Sequence, residues 1–551
     1  MNDVKRGLLS AMAEAVSAVL PDFQQRTGRF ISQPDGPPAP GATPDDLGWC
    51  VINQDVIYPL AVLYKTPGTD FYGDQEIRDM ILRGGDAIRD FQYSDGRVEF
   101  LKADGSRWGP TFMCWTNYAW LETYALMRQE LNAARRASWE VGLTLAHDGQ
   151  AREIANLHVH NIPCWKGMSC CRAADLFGKP DWRTAGQAMM QAVVDAQQPD
   201  GYWAEHGGPS VLYNHVYVHG LGLYYAFTGD PLVLPALEAA SEFHQTFCYP
   251  DGVPVETVDG RVKYRERLMC MGWVGFSACP KGRRLVQHLA GNLVPERDLK
   301  GFQGGAIASA VEHLIGGEIA AINVDRPSFR EAYHDWAIVC RDTSWFGCLS
   351  AFTCSPVSSR WGQDRQAFLS LWHDTQGLLL GGGNSKDQPE WATFVADGRF
   401  VPNGGELLGD TDGIVLTYGQ VRCSLRLHLD DGKAVIEAET EGGPALQQFV
   451  VQVGRGDAVR SASGKATGLG DTPVDWGPGE LGAWLDLKGC RIAVPAGASF
   501  RWPTKAFNPY AADGAAAFGS ERGILSVRID GTPVRWEIVP KQTQTPLRGG
   551  R

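Results

Sequence analysis

Asp-Gly pairs stand at Asp95, Asp148, Asp200 and Asp251, spaced by 53, 52 and 51 residues. A period near fifty holds one helical hairpin with its connections, and stacked hairpins predict a helical array or closed toroid. The pair alone is weak evidence, because the chain also has it at Asp35, Asp104, Asp259 and elsewhere. The flanking residues carry the case. Gln92-Tyr93-Ser94, Gln197-Gln198-Pro199 and Cys248-Tyr249-Pro250 each close a helix-like stretch just before the pair, whereas Ala146-His147 before Asp148 matches poorly.

Apolar spacing is mostly helical from Asp45 to about Gly317, and hairpins read as 51–64 with 75–91, 111–128 with 131–146, 163–177 with 182–196, and 211–228 with 231–247. A last pair covers 283–292 and 304–314. Gly178-Lys179-Pro180 and Gly229-Asp230-Pro231 each supply a glycine C-cap followed by proline near the next helix start. β-Hairpins are expected after two of the pairs, at 97–100 before Asp104-Gly105 and at 253–256 before Asp259-Gly260. Beyond Cys340 the period becomes two: Val421, Cys423, Leu425, Leu427 and Leu429 alternate with Arg422, Ser424, Arg426 and His428. Short strands divided by Gly turns predict an antiparallel β-sandwich. The expected fold is therefore multidomain, α then β: an (α/α) toroid at 1–325, a linker at 326–340, a sandwich at 341–540 and a polar tail at 541–551.

The formal charge of -12, with no Lys/Arg stripe, argues against a nucleic-acid partner. Local basic pockets remain compatible with an acidic glycan. The 13 cysteines are scattered, with one vicinal pair at Cys170-Cys171, and read as reduced, mostly buried thiols. Residues 8–20 read as an amphipathic helix rather than a signal peptide, and no run of ~18 apolar residues predicts a membrane span. The expectation is a cytoplasmic protein, or a periplasmic one if a leader has been removed.

Chemistry-bearing residues concentrate between His158 and His219. His158-Val159-His160-Asn161-Ile162-Pro163-Cys164-Trp165-Lys166 reads as a helix start capped by Asn161, where free N–H groups favour an anion. In Tyr213-Asn214-His215-Val216-Tyr217-Val218-His219, Tyr213 and Tyr217 share one helical face, and His215 and His219 nearly the opposite one. The tyrosine face is the one expected at the cavity. A zinc set of His158, His160, His215 and His219 is an alternative, but its His-x-His spacing is unspecific. Asp200 and Glu205 are the pair a glycoside hydrolase would use, although Asp200 stands at a turn of the repeat.

Asn161 with Trp165 four residues on resembles the helix-start signature of toroid alginate lyases. Asp200-Gly201-Tyr202-Trp203-Ala204-Glu205-His206-Gly207, followed by Tyr213 and Tyr217, resembles their second signature. Ring followed by sandwich is similar to the order in the heparinase II/III and alginate lyase superfamily. Ile162 stands where those lyases have His, and Trp372-His373-Asp374 before Gly381-Gly382-Gly383-Asn384 is the nearest equivalent of their sandwich motif. The resemblance implies β-elimination from a uronate-containing glycan without a cofactor. Asn161 and His160 would neutralise the carboxylate, and Tyr217 would act as acid/base, with Tyr213 and His215 beside it. Trp165, Lys166, Trp203, Glu205, His206, Trp115, Asn117, Tyr118, Arg265, Arg267 and His373 would bind substrate. A glycoside hydrolase using Glu205 and a non-catalytic glycan-binding protein are the rival readings.

Overall fold

The computed structural model describes residues 1–30, 54–101, 107–261, 267–299, 303–409, 411–430, 432–509, 514 and 521–541. The expected helix start at 51–53, the Asp104-Gly105 turn, Arg265 and the tail from 542 lie outside the described residues. The chain forms two compact units: 1–203 with 212–245 and 267–322, and 204–211 with 246–266 and 323–551.

The first unit is helical: α1 Asn2–Ser17, α2 Ile57–Lys65, α3 Gln75–Asp90, α4 Cys114–Met127, α5 Ala133–Ile154, α6 Asn161–Phe177, α7 Pro180–Asp195, α8 Val211–Thr228, α9 Leu234–Thr246, α10 Trp273–Phe276, α11 Pro280–Gly291, α12 Pro295–Asp298 and α13 Gln303–His313. None is long and apolar enough to cross a membrane. Helices α2, α4 and α6 are buried on nearly all sides, whereas α3 buries only one face. The apolar helices form an inner ring. α2 packs on α4 and α4 on α6, while α10 packs on α13 and α13 on α2. Between them, Cys164 of α6 approaches the Tyr217 carbonyl of α8, and a Cβ on Gly222 of α8 would lie 2.2 Å from the Gly275 nitrogen of α10. The ring is thereby closed, and the N-terminal helix α1 packs on α11, α12 and α13.

Three of the four Asp-Gly pairs are one repeated turn. The amide of Tyr93 donates to the Arg97 carbonyl and that of Gly96 to the Tyr93 carbonyl, at 2.9 and 3.0 Å. Gln198 with Tyr202 and Tyr249 with Val253 repeat the pattern, closed by Gly201 and Gly252. These glycines have φ of 92°, 81° and 86°, which an L side chain adopts only under strain. The preceding glutamine fixes the unit: Gln92 donates to the Gly96 and Gly142 carbonyls, and Gln197 to those of Gly201 and Ala236. Asp148 is different. It lies inside α5, which runs on to Ile154, and accepts from the Trp182 indole at 2.8 Å.

The second unit is an antiparallel sandwich with two large sheets among the described residues. One runs, in spatial order, Val474–Trp476, Ser499–Thr504, Arg522–Ile529, Ala445–Val451, Gly377–Leu380, Leu369–His373, Trp345–Ser350, Ala337–Asp342, Ser328–Tyr333, with Phe394–Ala396 also paired to Ala445–Val451. The other runs Gly404–Leu408, Gly413–Tyr418, Val421–Asp430, Lys433–Glu441, Val534–Pro540, Cys490–Ala493, Trp484–Leu487, Ala458–Ser461, Ala466–Gly468. The period-two residues behave as expected: Val421, Cys423, Leu425 and Leu427 face a core shared with Ile338, Trp345, Leu371 and Trp536. The stretch 326–340, expected as a linker, instead supplies strands, because Phe329 and residues 337–340 are apolar enough to pack. The hairpin expected at 97–100 forms, as Val98–Leu101 paired with Arg107–Thr111, but 253–256 does not continue as a strand; Glu256–Val258 is a 3-10 turn.

Asn384 and Arg365 explain why 204–211 and 246–266 belong to this unit. The Asn384 oxygen accepts from the Gln366 and Ala367 amides at 2.9 and 3.0 Å, and its Nδ2 donates to the Asp259 carbonyl at 2.9 Å. Arg365 donates to the Val258 and Pro209 carbonyls at 2.7 and 2.6 Å. Glu256 is buried beneath the same segment, accepting from the Tyr249 hydroxyl at 2.8 Å, and burial raises its pKa to about 7. The folded state therefore holds this proton more tightly than the unfolded chain, so its stabilising contribution is present below pH ~4.3 and is lost as pH rises through about 7. Glu256→Gln keeps an acceptor without ionising. Its stability relative to the parent, measured by denaturant unfolding, should improve by up to about 1.4 kcal/mol per pH unit between pH 5 and 7, then level off. A pH-independent difference would contradict this assignment.

Candidate active site

Contacts around the inner ring run through the N-terminal halves of four helices. The turn Gln54–Val56, just before α2, packs on α4, with Asp55 and Thr116, the third residue of α4, both buried. Trp115 and Tyr118 of α4 meet Trp165, the fifth residue of α6, at ring distances of 6.1 and 6.4 Å. Cys164 and Trp165 in turn meet Tyr217 and His219 in the first half of α8, the latter at 5.1 Å. The N-terminal halves of four inner helices thus adjoin in turn, and the positive dipole ends on that side of the ring favour an anion.

The helix α6 begins differently from the sequence expectation. His160, not Asn161, takes the N-cap position, and Asn161 is the first helical residue, half-buried. His160 lies 5.3 Å from the exposed His158, and burial, with His158 and Lys166 adding to it, lowers its pKa to about 4. A pKa there leaves it neutral at pH 7. Lys166 is buried and its ammonium is paired with Glu153 at 2.6 Å. Asn117 is also buried, with neither side-chain polar atom partnered among the described residues.

Helix α8 resolves the choice of face. Tyr217 is 1 % exposed and stacks on Trp203 at 5.0 Å with 6° between the rings. His215 is buried too, its Nδ1 at 3.0 Å from the Met271 carbonyl and its ring against His244 and Phe276. His219 accepts from the Gly272 amide and packs on Trp165. Both faces are buried because Gly220 and Gly222 let α6 and α10 approach the backbone. Of Tyr213, His215, Tyr217 and His219, only Tyr213, in the first turn, is half-exposed. Burial lowers the pKa of His215 to about 4 and of His219 to about 3, so both are neutral core histidines. The four-His zinc set is not assembled. Among the described residues the one trio with ligand atoms within 4.8 Å is Glu122, Glu312 and His313. Arg172 already holds both Glu122 oxygens, and Tyr58 donates to Glu312 at 2.9 Å.

Other expected substrate contacts have structural work. Trp203 is buried, its indole donating to the Val193 carbonyl at 2.7 Å, and Asn214 bridges its backbone amide and carbonyl. Tyr118 is buried, its hydroxyl 3.1 Å from Ser309 Oγ. In the other unit, Glu205 is 8 % exposed and His373 is 6 % exposed, the latter packed on Trp345 at 4.6 Å and accepting from Thr375. Half-buried Trp115 and Arg267 and exposed His206 keep access to solvent. Sequence reading missed Asp55 and Arg172. Asp55 is fully buried with a pKa raised to about 7, and its only signal was an acid placed immediately before an apolar helix.

A closed helical ring with an antiparallel sandwich defines the fold class expected from the resemblance. Solved structures similar to this chain include polysaccharide lyases. Paenibacillus xanthan lyase superposes with a TM-score of 0.55 at 12% identity, over 98% of this chain and 57% of that one. The chain thus spans little more than half of the xanthan lyase. Chondroitinase AC lyase (TM-score 0.48, 12% identity, 98% of this chain and 83% of that one) and a variant of the chondroitin AC lyase of Streptomyces coelicolor A3 (0.46, 15%, 98% and 79%) are more distant. No family model matches the sequence, and no curated protein matches it either.

Proposed function

We propose that the protein is a polysaccharide lyase that cleaves an acidic, uronate-containing glycan by β-elimination. The support for this reading is that the N-terminal halves of α2, α4, α6 and α8 pack in turn on one another, with His160 and Asn161 opening α6 and half-exposed Tyr213 in the first turn of α8. A uronate carboxylate seated there loses charge repulsion against an enolate-like intermediate, because the N–H groups and Asn161 donate to it. Neutral His160 donates a further hydrogen bond. Tyr213 replaces Tyr217 as the acid/base, since a group that moves protons must reach the substrate. The C5–H and C4–O bonds break, a C4–C5 double bond forms, and the leaving oxygen takes a proton; no water enters the product. Trp115 offers an aromatic face to a sugar ring.

Incubation with acidic polymers tests the reading. It predicts products carrying the ultraviolet-absorbing unsaturated uronate, lost in Asn161→Ala.

A further inference from the structure

We propose that the sandwich unit carries its own binding site for an acidic saccharide, built from Arg261, Trp361, Arg360 and His206. The ligand class rests on the lyase reading above; the geometry does not. Three segments of that unit converge here. His206 has φ of 53°, a left-handed conformation uncommon outside glycine and costly to maintain. It is kept there by its neighbours: a Cβ on Gly362 would lie 3.0 Å from the His206 Cβ, and Arg261 Nη1 donates to His206 Nε2 at 3.0 Å.

Arg261 is itself fixed at its backbone. Its amide donates to Asp259 Oδ1 at 2.6 Å, and the same oxygen accepts from Ser210 at 3.0 Å. The Gln363 amide donates to the Gly260 carbonyl at 2.8 Å, tying this loop to the one that carries Trp361. The Arg261 and Arg360 guanidinium carbons lie 5.6 and 5.7 Å from the Trp361 ring centre, and Arg360 lies 5.9 Å from Phe507. Two nearby carboxylates are engaged: Asp259 as described, and Asp364 by Lys386 at 3.1 Å and the Asp387 amide at 2.8 Å. Burial, then Arg261, lowers the His206 pKa against a smaller opposing effect of Glu205.

Two guanidiniums beside one indole match a ring that is apolar on its face and carries a carboxylate or sulfate at its edge. The planar forks bind the anion and the indole covers the sugar face. A nucleic-acid strand fits less well, because such sites track the backbone with a long basic groove and successive aromatics.

The test is calorimetric titration of the full chain, in an Asn161→Ala background to prevent turnover. The ligands are hexasaccharides of polygalacturonate and of chondroitin, with cellohexaose as the neutral control. At least one acidic hexasaccharide should bind and cellohexaose should not. Arg360→Ala and Trp361→Ala should each weaken that binding about tenfold, the scale of one charge-assisted contact, with Trp361→Phe recovering most of it. Unchanged thermal midpoints exclude misfolding. Affinity within twofold of the parent in both alanine variants, or no acidic binding to the parent, would overturn the proposal. Loss of binding in these variants together with no unsaturated product from any polymer would leave this site standing and remove the lyase reading instead.

Discussion

Tyr213→Phe is expected to lower kcat by about 10³-fold, while Tyr217→Phe stays within about tenfold of the parent, as general acid–base groups typically contribute 10²–10⁴-fold. The two residues share a helix and differ by one turn, so the contrast isolates position rather than chemistry. Tyr213 opens α8 and is half-exposed, whereas Tyr217 is sealed between α6 and Trp203. Removing a hydroxyl changes neither ring, so both variants should fold, with KM for the polymer little altered by Tyr213→Phe. The reverse ordering of the two rates would return the acid/base role to Tyr217 and require α8 to open.

The second large effect concerns stability. Arg172 of α6 donates to both oxygens of Glu122 on α4, at 2.7 and 3.1 Å, and its guanidinium covers the Phe227 ring of α8 at 4.6 Å. Glu122 is 1 % exposed, and burial already raises its pKa above the ordinary value despite Arg172. Arg172→Met leaves a buried carboxylate without its counter-charge, which costs about 3–5 kcal/mol. Protonation relieves that cost, so the loss measured by urea unfolding should be larger at pH 8 than at pH 5. Arg172→Met with Glu122→Leu should regain most of it, since an apolar pair of similar volume removes both desolvation penalties. A loss of under about 1 kcal/mol at pH 8 would mean the pair behaves as a surface salt bridge.

The architecture was legible because it rests on local rules. Period-two alternation at 421–429 and the Gly-Pro connectors at 178–180 and 229–231 are formed as read. The turn repeat was legible for three members and misleading for Asp148, where tertiary packing overrides the turn preference of an Asp-Gly pair: Gly149 of α5 leaves room for the Phe112 ring. That α6 and α8 adjoin was legible from the repeat, but the burial of each side chain on them was not. Helical periodicity places Tyr213 and Tyr217 on one face but carries no information that Gly220 and Gly222 admit neighbours on every side. The same limit applies to His373 and Asn384. They read as a sandwich motif, yet the first packs on Trp345 and the second clamps four backbone groups. Such partners come from distant segments, which spacing cannot reveal.

The most direct test of the central claim is product chemistry. The full chain is incubated with polygalacturonate, alginate, chondroitin and xanthan, and the products are followed by ultraviolet absorbance and mass. For at least one polymer, fragments are expected to end in an unsaturated uronate and to be lighter by one water than hydrolytic fragments. New reducing ends without the chromophore and at the hydrolytic mass would contradict it and favour a glycoside hydrolase using Glu205.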